Sequence, residues 1–253
     1  MKNFRIQKKT IVRYVFFILF SQVIFTSCIF DFGNCMRGEG AIVSEFREVS
    51  GFTKIDLANS ADVFVIQSDN YSLEVKAQAN LLQSIRTRVD NGILIIDNED
   101  CIRSDDGIQI FVYLPEIDGL KISGSGNMVV NQYVTSPFID IILSGSGDII
   151  LRDVEAEKIE ATISGSGDIE IDCVNELYSA QQLVFEIPGS GEINSFDITA
   201  ENANVNISGS GNCFVKVVNS LNIDISGSGD VFYKGYPQIN ANVFGSGHVV
   251  DAN

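Results

Sequence analysis

The sequence predicts an all-β protein, a parallel β-solenoid in which each coil spans about 20 residues. Three observations lead to this prediction. The tripeptide Gly-Ser-Gly occurs seven times, beginning at Gly124, Gly145, Gly165, Gly189, Gly209, Gly227 and Gly245. The intervals between these starting positions are nearly constant, which is typical of stacked repeats. Apolar and polar residues alternate before the tripeptides, as in a half-buried strand, and helical spacing is absent.

The segments on both sides of the tripeptide repeat as well. In a strand such as Leu221–Ile225 every second residue is apolar, so one side is expected to be buried and the other exposed. After each tripeptide a polar residue precedes an apolar one; the polar residues are Asn127, Asp148, Asp168, Glu192, Asn212, Asp230 and His248. Because one coil cannot bury its apolar side alone, we expect the coils to stack about 4.8 Å apart around a shared core.

The corner glycines have two expected uses. Glycine adopts a positive φ without steric cost, and its lack of a Cβ lets successive coils approach closely. The segment Ile55–Val63 aligns with Ala161–Ile169, but Asn59 and Ala61 replace the two glycines. We interpret it as a degenerate first coil, because end coils often depart from the repeat. A short helical turn is expected around Leu81–Ile85.

The N-terminal segment 1–27 has the pattern of a secretory signal. It contains five basic residues and no acid, and an apolar run that begins at Tyr14 ends at Phe25. A membrane-spanning helix needs about 20 apolar residues, so this run is too short to be one. The segment Phe25–Cys28 resembles a lipobox, whose cysteine is acylated. The alternative is an ordinary signal followed by a chance cysteine.

These features divide the chain into a signal (1–27), a tether (28–41) and one solenoid domain (42–253), with degenerate coils over 42–119 and regular coils over 120–253. Removal of the signal leaves 12 basic and 33 acidic residues, a formal net charge near −21. Nucleic acid and anionic lipid surfaces are disfavoured as partners, because binding to them requires clustered Lys and Arg. An acidic surface also keeps an exported β-protein from self-associating.

Four cysteines remain beyond Cys28. Export takes them to a compartment where disulfides form, so Cys35 and Cys101 could pair, although four cysteines allow three complete pairings. Cys173 and Cys213 fall at expected core positions, where a thiol behaves as a small apolar side chain. No C-x-x-C spacing indicates zinc, and we predict no metal and no cofactor.

The recurrent Ser-Gly-Ser-Gly-[Asp/Asn] corners, the segment Gly229–Pro237 and the final Gly245–Val249 resemble the family called putative auto-transporter adhesin, head GIN domain. That family is common among exported proteins of Bacteroides-like bacteria. The resemblance covers about residues 45–253. It implies a right-handed parallel β-helix and, through the family's name, adhesion. It provides no catalytic residues to carry over.

An enzyme is the alternative class of function, because parallel β-helices also host polysaccharide lyases and hydrolases. A lyase needs a calcium-binding acid cluster beside a Lys or Arg base, and a hydrolase needs two opposed carboxylates. The basic residues beyond position 120 are scattered, and the single histidine, His248, has no evident partner. We therefore predict no catalytic residues. A purely structural role in the envelope is the third alternative.

Amide side chains form the first candidate binding surface. The outward positions of the last three strands before the turns are Asn204, Asn206, Asn222, Asp224, Asn240 and Asn242. Such a lattice could bind sugar hydroxyls. The alternative is an asparagine ladder that only stabilises the stack. The polar residues after the turns also have two interpretations, as calcium ligands or as ordinary turn residues, and we favour the second.

The second candidate surface lies at the C-terminal end. Phe214, Phe232 and Val250 occupy outward positions of successive coils and are expected to form an exposed apolar stripe beside an uncovered strand edge. Natural proteins usually cover such an edge, so we expect this end to contact a second copy or another partner. The alternative is that Tyr233–Gln238 folds back over the stripe. The complete prediction is a protein anchored to the outer membrane by lipid, which presents solenoid faces to a glycan or protein partner.

Overall fold

The computed structural model describes residues 35–173 and 179–253, and Met36–Asn253 forms one compact unit. The predicted signal and Cys28 lie outside the described residues. Within the described ranges the chain contains strands and turns but no helix, so none there is long and apolar enough to cross a membrane. The all-β prediction is confirmed.

The strands, in chain order, are β1 (Met36–Arg37), β2 (Ile42–Arg47), β3 (Lys54–Leu57), β4 (Asp62–Gln67), β5 (Ser72–Gln78), β6 (Ile85–Asp90), β7 (Ile93–Asn98), β8 (Ile102–Arg103), β9 (Gln109–Leu114), β10 (Gly119–Ile122), β11 (Met128–Leu143), β12 (Ile149–Ile163), β13 (Ile169–Ile171), β14 (Ser179–Ile187), β15 (Glu192–Ile207), β16 (Asn212–Ile225), β17 (Val231–Lys234), β18 (Gln238–Val243) and β19 (Val249–Asp251).

Parallel pairing of equivalent residues builds the solenoid. From β10 to β19 each coil pairs with the next, and the register joins positions that are one repeat apart, as in Leu143 with Ile163. The inward side chains of β12 illustrate the shared core: Ile159, Ala161 and Ile163 are buried, while the residues between them are partly exposed. The predicted solenoid, its period and its alternation of buried and exposed positions are therefore confirmed.

The corner glycines are required by close approach and not by a positive φ. Glycines with positive φ lie elsewhere, at Gly40, Gly51, Gly92, Gly107 and Gly235. A Cβ on Gly165 would lie 1.8 Å from the carbonyl oxygen of Gly145, and a Cβ on Gly167 would lie 1.9 Å from that of Gly147. Ser166 N also donates to Gly145 O at 3.1 Å. The expectation of positive φ at these corners is wrong, and the expectation of close coil-to-coil approach is confirmed.

Residues 54–67 form a coil, as predicted, but not the end coil. β3 pairs with β10 on one side and β7 on the other, and β4 lies likewise between β11 and β9. The coil made of β7 and β9 is therefore the N-terminal end of the stack. Between these two strands the chain makes an excursion over residues 99–108. Because the end coil leaves the corner position in this excursion, the neighbouring coil of residues 54–67 accommodates Asn59 and Ala61 where later coils require glycine.

Antiparallel strands cover the N-terminal end of the stack. β5 pairs with β9 and β2, and β6 pairs with β7, all in antiparallel fashion. Leu73 and Val75 of β5 are completely buried in the common core. Residues 42–119 are thus two coils plus an antiparallel cap, not a run of degenerate coils. The predicted helical turn is a hydrogen-bonded turn, in which Leu81 N donates to Gln78 O at 2.9 Å.

The domain also begins earlier than the predicted boundary at residue 42. β1 lies in the predicted tether and pairs in parallel with β8, and Gly38 N donates to Arg103 O at 2.8 Å. Cys35 and Cys101 are both disulfide-bonded. Cys213 lies in the core as predicted, where burial raises the pKa of its thiol and keeps it protonated.

Candidate functional site

The outward side chains of the strands before the Gly-Ser-Gly corners form one continuous surface, here called the pre-turn face. Its columns run along the stack, because the register joins equivalent residues of successive coils. The N-terminal coils carry ion pairs on this face: Lys121 Nζ lies 2.7 Å from Asp56 Oδ2, and Lys54 Nζ lies 3.8 Å from Asp140 Oδ2. In the same columns the three C-terminal coils carry five asparagines and one carboxylate, Asp224.

The six predicted binding residues lie together on the pre-turn face. One column contains Asn204, Asn222 and Asn240, and the next contains Asn206, Asp224 and Asn242. All six side chains are exposed. They also bond to each other: Asn222 Nδ2 donates to Asn204 Oδ1, and Asn242 Nδ2 donates to Asp224 Oδ1, both at 2.9 Å. An amide has two N–H groups and a carbonyl, so these ladder bonds leave capacity for a ligand.

A groove of about 710 Å³ lies beside this ladder. Its lining includes Phe138, Lys158, Gln182, Glu201, Asn202, Asn204 and Asn222. A smaller hollow of about 180 Å³ shares Asn204 and Asn222 with the groove and continues the concave surface towards Asp224. The ladder is thus one wall of a concave site and not an isolated flat lattice.

A third column of the pre-turn face provides most of the remaining groove residues. The register joins Phe138 to Lys158, Lys158 to Gln182, and Gln182 to Asn202. In each strand this third column lies two positions before the column that contains Asn204. Lys158 Nζ is 5.7 Å from the centre of the Phe138 ring and 2.6 Å from Glu160 Oε1. The sequence pattern did not reveal this column, because the apolar alternation of each strand begins one position after it.

The polar side chains after the corners accept hydrogen bonds from the backbone of the next coil. Asn127 Oδ1 accepts from Asp148 N at 3.0 Å, Asp148 Oδ1 accepts from Asp168 N at 2.9 Å, and Asp168 Oδ1 accepts from Glu192 N at 2.8 Å. Burial and the nearby charge of Asp168 raise the pKa of Glu192. Within the described residues no group of three or more His, Cys, Asp or Glu could hold a metal ion. These bonds favour the structural role over calcium ligation.

The predicted apolar stripe is present, but its aromatic rings pack against one another. The rings of Phe214 and Phe232 stack with centroids 4.6 Å apart, and Phe196 meets Phe214 edge-on at 5.3 Å. Phe214, Phe232 and Val250 are half-buried, not exposed as expected. The segment Tyr233–Gln238 does not fold back over them, because Tyr233 continues β17 beside Val215. The large exposed apolar side chains of this end lie instead in and beside β18.

The family model described as Putative auto-transporter adhesin, head GIN domain, matches residues 51–237. The chain belongs to this family. It matches none of the curated proteins.

Three solved structures resemble this head GIN protein over most of its length. A putative adhesin from Bacteroides fragilis has a TM-score of 0.78 at 20% identity and covers 85% of this chain and 98% of its own. A putative lipid binding protein from Parabacteroides distasonis has a TM-score of 0.71 at 26% identity, covering 85% and 99%. A putative adhesin from Parabacteroides merdae has a TM-score of 0.67 at 20% identity, covering 87% and 100%. The family's description as an adhesin indicates a protein of the cell envelope or surface, and the solved structures show that these proteins share the fold.

One expected feature of the head GIN chain needs correction. His248 was expected to lack a partner, but its Nδ1 lies 3.1 Å from Asp230 Oδ1, and its backbone N donates to the same oxygen at 2.7 Å. The sequence signal was available, because both residues occupy the polar position after a corner in adjacent coils. Among the described side chains no serine hydroxyl is hydrogen-bonded to this imidazole. The pair therefore lacks the bonded nucleophile of a Ser-His-Asp site.

Proposed function

We propose that this chain is an exported lipoprotein, anchored through Cys28, whose pre-turn face binds a glycan. The observation that carries the proposal is the groove in which carboxamides from successive coils converge with one aromatic ring. Its volume of about 710 Å³ falls within the range of small-molecule sites, about 300–1,000 Å³.

The chemistry of the groove suits sugar hydroxyls. A hydroxyl both donates and accepts hydrogen bonds, and a carboxamide can answer both roles. Gln182, Asn202, Asn204 and Asn222 supply four such groups on adjacent coils. The half-buried ring of Phe138 adds an apolar surface for the C–H face of a sugar. Because coils are spaced about 4.8 Å apart, an extended chain lying along the stack would meet a new amide at each of the coils of β14, β15 and β16.

Asparagines inside and outside the groove make a matched test of the proposal. The exported chain without its signal is screened on a glycan array, and its affinity for the best polymer is then measured by calorimetry. Asn204→Ala is expected to weaken binding by about tenfold or more, a loss of about 1.4 kcal/mol. Asn242→Ala removes a ladder amide that does not line the groove, and it should leave affinity unchanged. Failure of the wild type to bind any glycan, or equal losses in the two variants, would contradict the proposal.

The competing candidate is a polysaccharide-processing enzyme. One observation favours it, because Glu157, Glu201 and Lys158 line the same groove. Lys158 is engaged in an ion pair with Glu160, so it is not placed as a free base. Prolonged incubation with the bound polymer separates the two functions. Intact polymer supports binding alone, whereas accumulation of new reducing ends or unsaturated ends would establish the enzyme.

The anchor is tested separately. Phe25–Cys28 has the lipobox pattern, and Cys28 is the cysteine at the predicted cleavage site. Metabolic labelling with a palmitate analogue should mark the wild type and leave Cys28→Ala unmarked. Ser27→Thr is the control, since it retains the cysteine. Equal labelling of wild type and Cys28→Ala would exclude Cys28 as the site of attachment.

A further inference from the structure

The last coil of the stack is left open. Its inward residues Ile239 and Val243 are 39% and 43% exposed, whereas Leu221 and Ile225, at the same positions one coil earlier, are completely buried. Within the described residues β18 pairs only with β16, and β19 pairs only with β17. The outer edge of this coil therefore presents both unpaired backbone groups and the apolar interior of the solenoid.

Within the open edge, the residues of β18 itself lack the features that usually prevent strand pairing, and Pro237 directly precedes the strand. Natural edge strands carry Lys, inward-pointing charges, proline or bulges. β18 has the sequence Gln-Ile-Asn-Ala-Asn-Val, and all six residues are exposed. Residues 236–253 contain one carboxylate side chain, Asp251, and no Lys or Arg. In a chain with a net charge of −16, this weakly charged segment would repel a second acidic molecule only weakly.

We propose that the C-terminal coil pairs with the same coil of a second copy, through antiparallel β18 strands related by a two-fold axis at Ala241. This axis sets Ile239 opposite Val243 of the partner and Asn240 opposite Asn242 of the partner. Within residues 239–243 each apolar residue thus meets an apolar one, and each asparagine meets an asparagine. The strand is therefore self-complementary, as an isologous dimer interface requires. The amide columns of the pre-turn face would continue across the axis into the partner.

Two exposed aromatic residues flank the proposed contact. Phe244 and Tyr236, which are 82% and 89% exposed, lie at opposite ends of β18. Antiparallel pairing about Ala241 brings Phe244 of one copy beside Gln238 of the other, close to Tyr236. The contact would thus reduce the exposure of the most exposed aromatic residues of this end. The inference is independent of the proposed glycan site, because it rests on the strand edge and not on the groove.

A charge exchange at the axis tests the dimer. The exported chain without its signal is measured by sedimentation over a concentration series. The wild type should dimerise, whereas Ala241→Lys and Ala241→Asp should each raise the dimer dissociation constant by about tenfold or more, because like charges would face each other. A mixture of the two variants should form the mixed dimer. Val218→Lys alters a residue of β16 that is 48% exposed, and it should change nothing.

Cysteine substitution tests the register. Directly opposed residues of antiparallel strands have Cα atoms about 4.5–5.5 Å apart, within the range of a disulfide. Ala241→Cys should therefore link two copies by oxidation, whereas Ile239→Cys alone should not. Melting temperatures close to the wild type would show that the variants are folded. A monomeric wild type, or linkage through Ile239→Cys as efficient as through Ala241→Cys, would overturn the proposal.

Discussion

The two ends of the solenoid differ in whether the apolar side of the end coil is covered. At the N-terminal end the chain folds β2, β5 and β6 back in antiparallel fashion, so that Leu94 and Ile110 of the end coil are completely buried. At the C-terminal end Ile239 and Val243 remain exposed. A stack of coils requires a cover at each end because each coil buries its apolar side only against its neighbours. The observed difference is that one end has a permanent cap, whereas the other is the surface through which we propose association.

The largest expected effect concerns a corner between the two ends. Gly165→Val would place its Cβ 1.8 Å from the carbonyl oxygen of Gly145, with further coils stacked on the other side. Overpacking costs about 1–3 kcal/mol in ordinary cores, and here the atom in the way is backbone, so we expect a loss of about 3 kcal/mol or more. Gly247→Val meets the same kind of contact in the last coil, which can move outward. Urea denaturation should show the smaller loss for Gly247→Val; equal losses would contradict a freely displaceable last coil.

The next effect compares the cap with the open end. Leu73 of the cap is completely buried, so Leu73→Ala should cost about 2–5 kcal/mol of unfolding free energy. Ile239→Ala removes a side chain that is already 39% exposed, and it should cost clearly less in the monomer. Both are measured by chemical denaturation at a concentration where the protein is monomeric. A larger loss for Ile239→Ala would mean that the last coil is covered.

The smallest effect concerns the corner ladder of the central coils. The pKa of Glu192 is raised by burial and by Asp168, so its charged form is less favourable in the folded state than in the unfolded state. Its contribution to stability therefore falls as pH rises above its ordinary value of 4.5 and through the raised value. Glu192→Gln should stabilise the protein at pH 7 by less than about 1 kcal/mol, since the group is partly exposed. The gain should vanish near pH 4. A gain independent of pH would exclude this explanation.

Much of the regular region could be predicted from sequence, because the period of the tripeptide fixes which residues are equivalent. Equivalence then places Asn204 beside Asn222 without any further information. The groove was harder to predict, because a concave surface depends on side chains of several coils, and the column of Phe138, Lys158 and Gln182 begins one position outside the apparent strand. The corner conformation was mistaken because glycine serves two purposes, and the sequence does not distinguish a positive φ from a close approach.

The N-terminal region resisted prediction for a different reason. Parallel and antiparallel strands have the same alternation of period two, so the strands of the cap could not be separated from those of the coils. The order of the coils was also hidden. Residues 54–67 lie second in the stack because β7 and β9 pair outside them. Such a pairing of segments distant in sequence leaves no local pattern.

Amide hydrogen exchange at two protein concentrations tests the contrast between the two ends most directly. At low concentration the amides of β18 and β19 should exchange much faster than those of β7 and β9, because only one side of the last coil is paired. At high concentration protection should rise in β18 and remain unchanged in β7. Equal protection at both ends at low concentration, or no gain in β18 on concentration, would contradict the account of a capped end and an associating end.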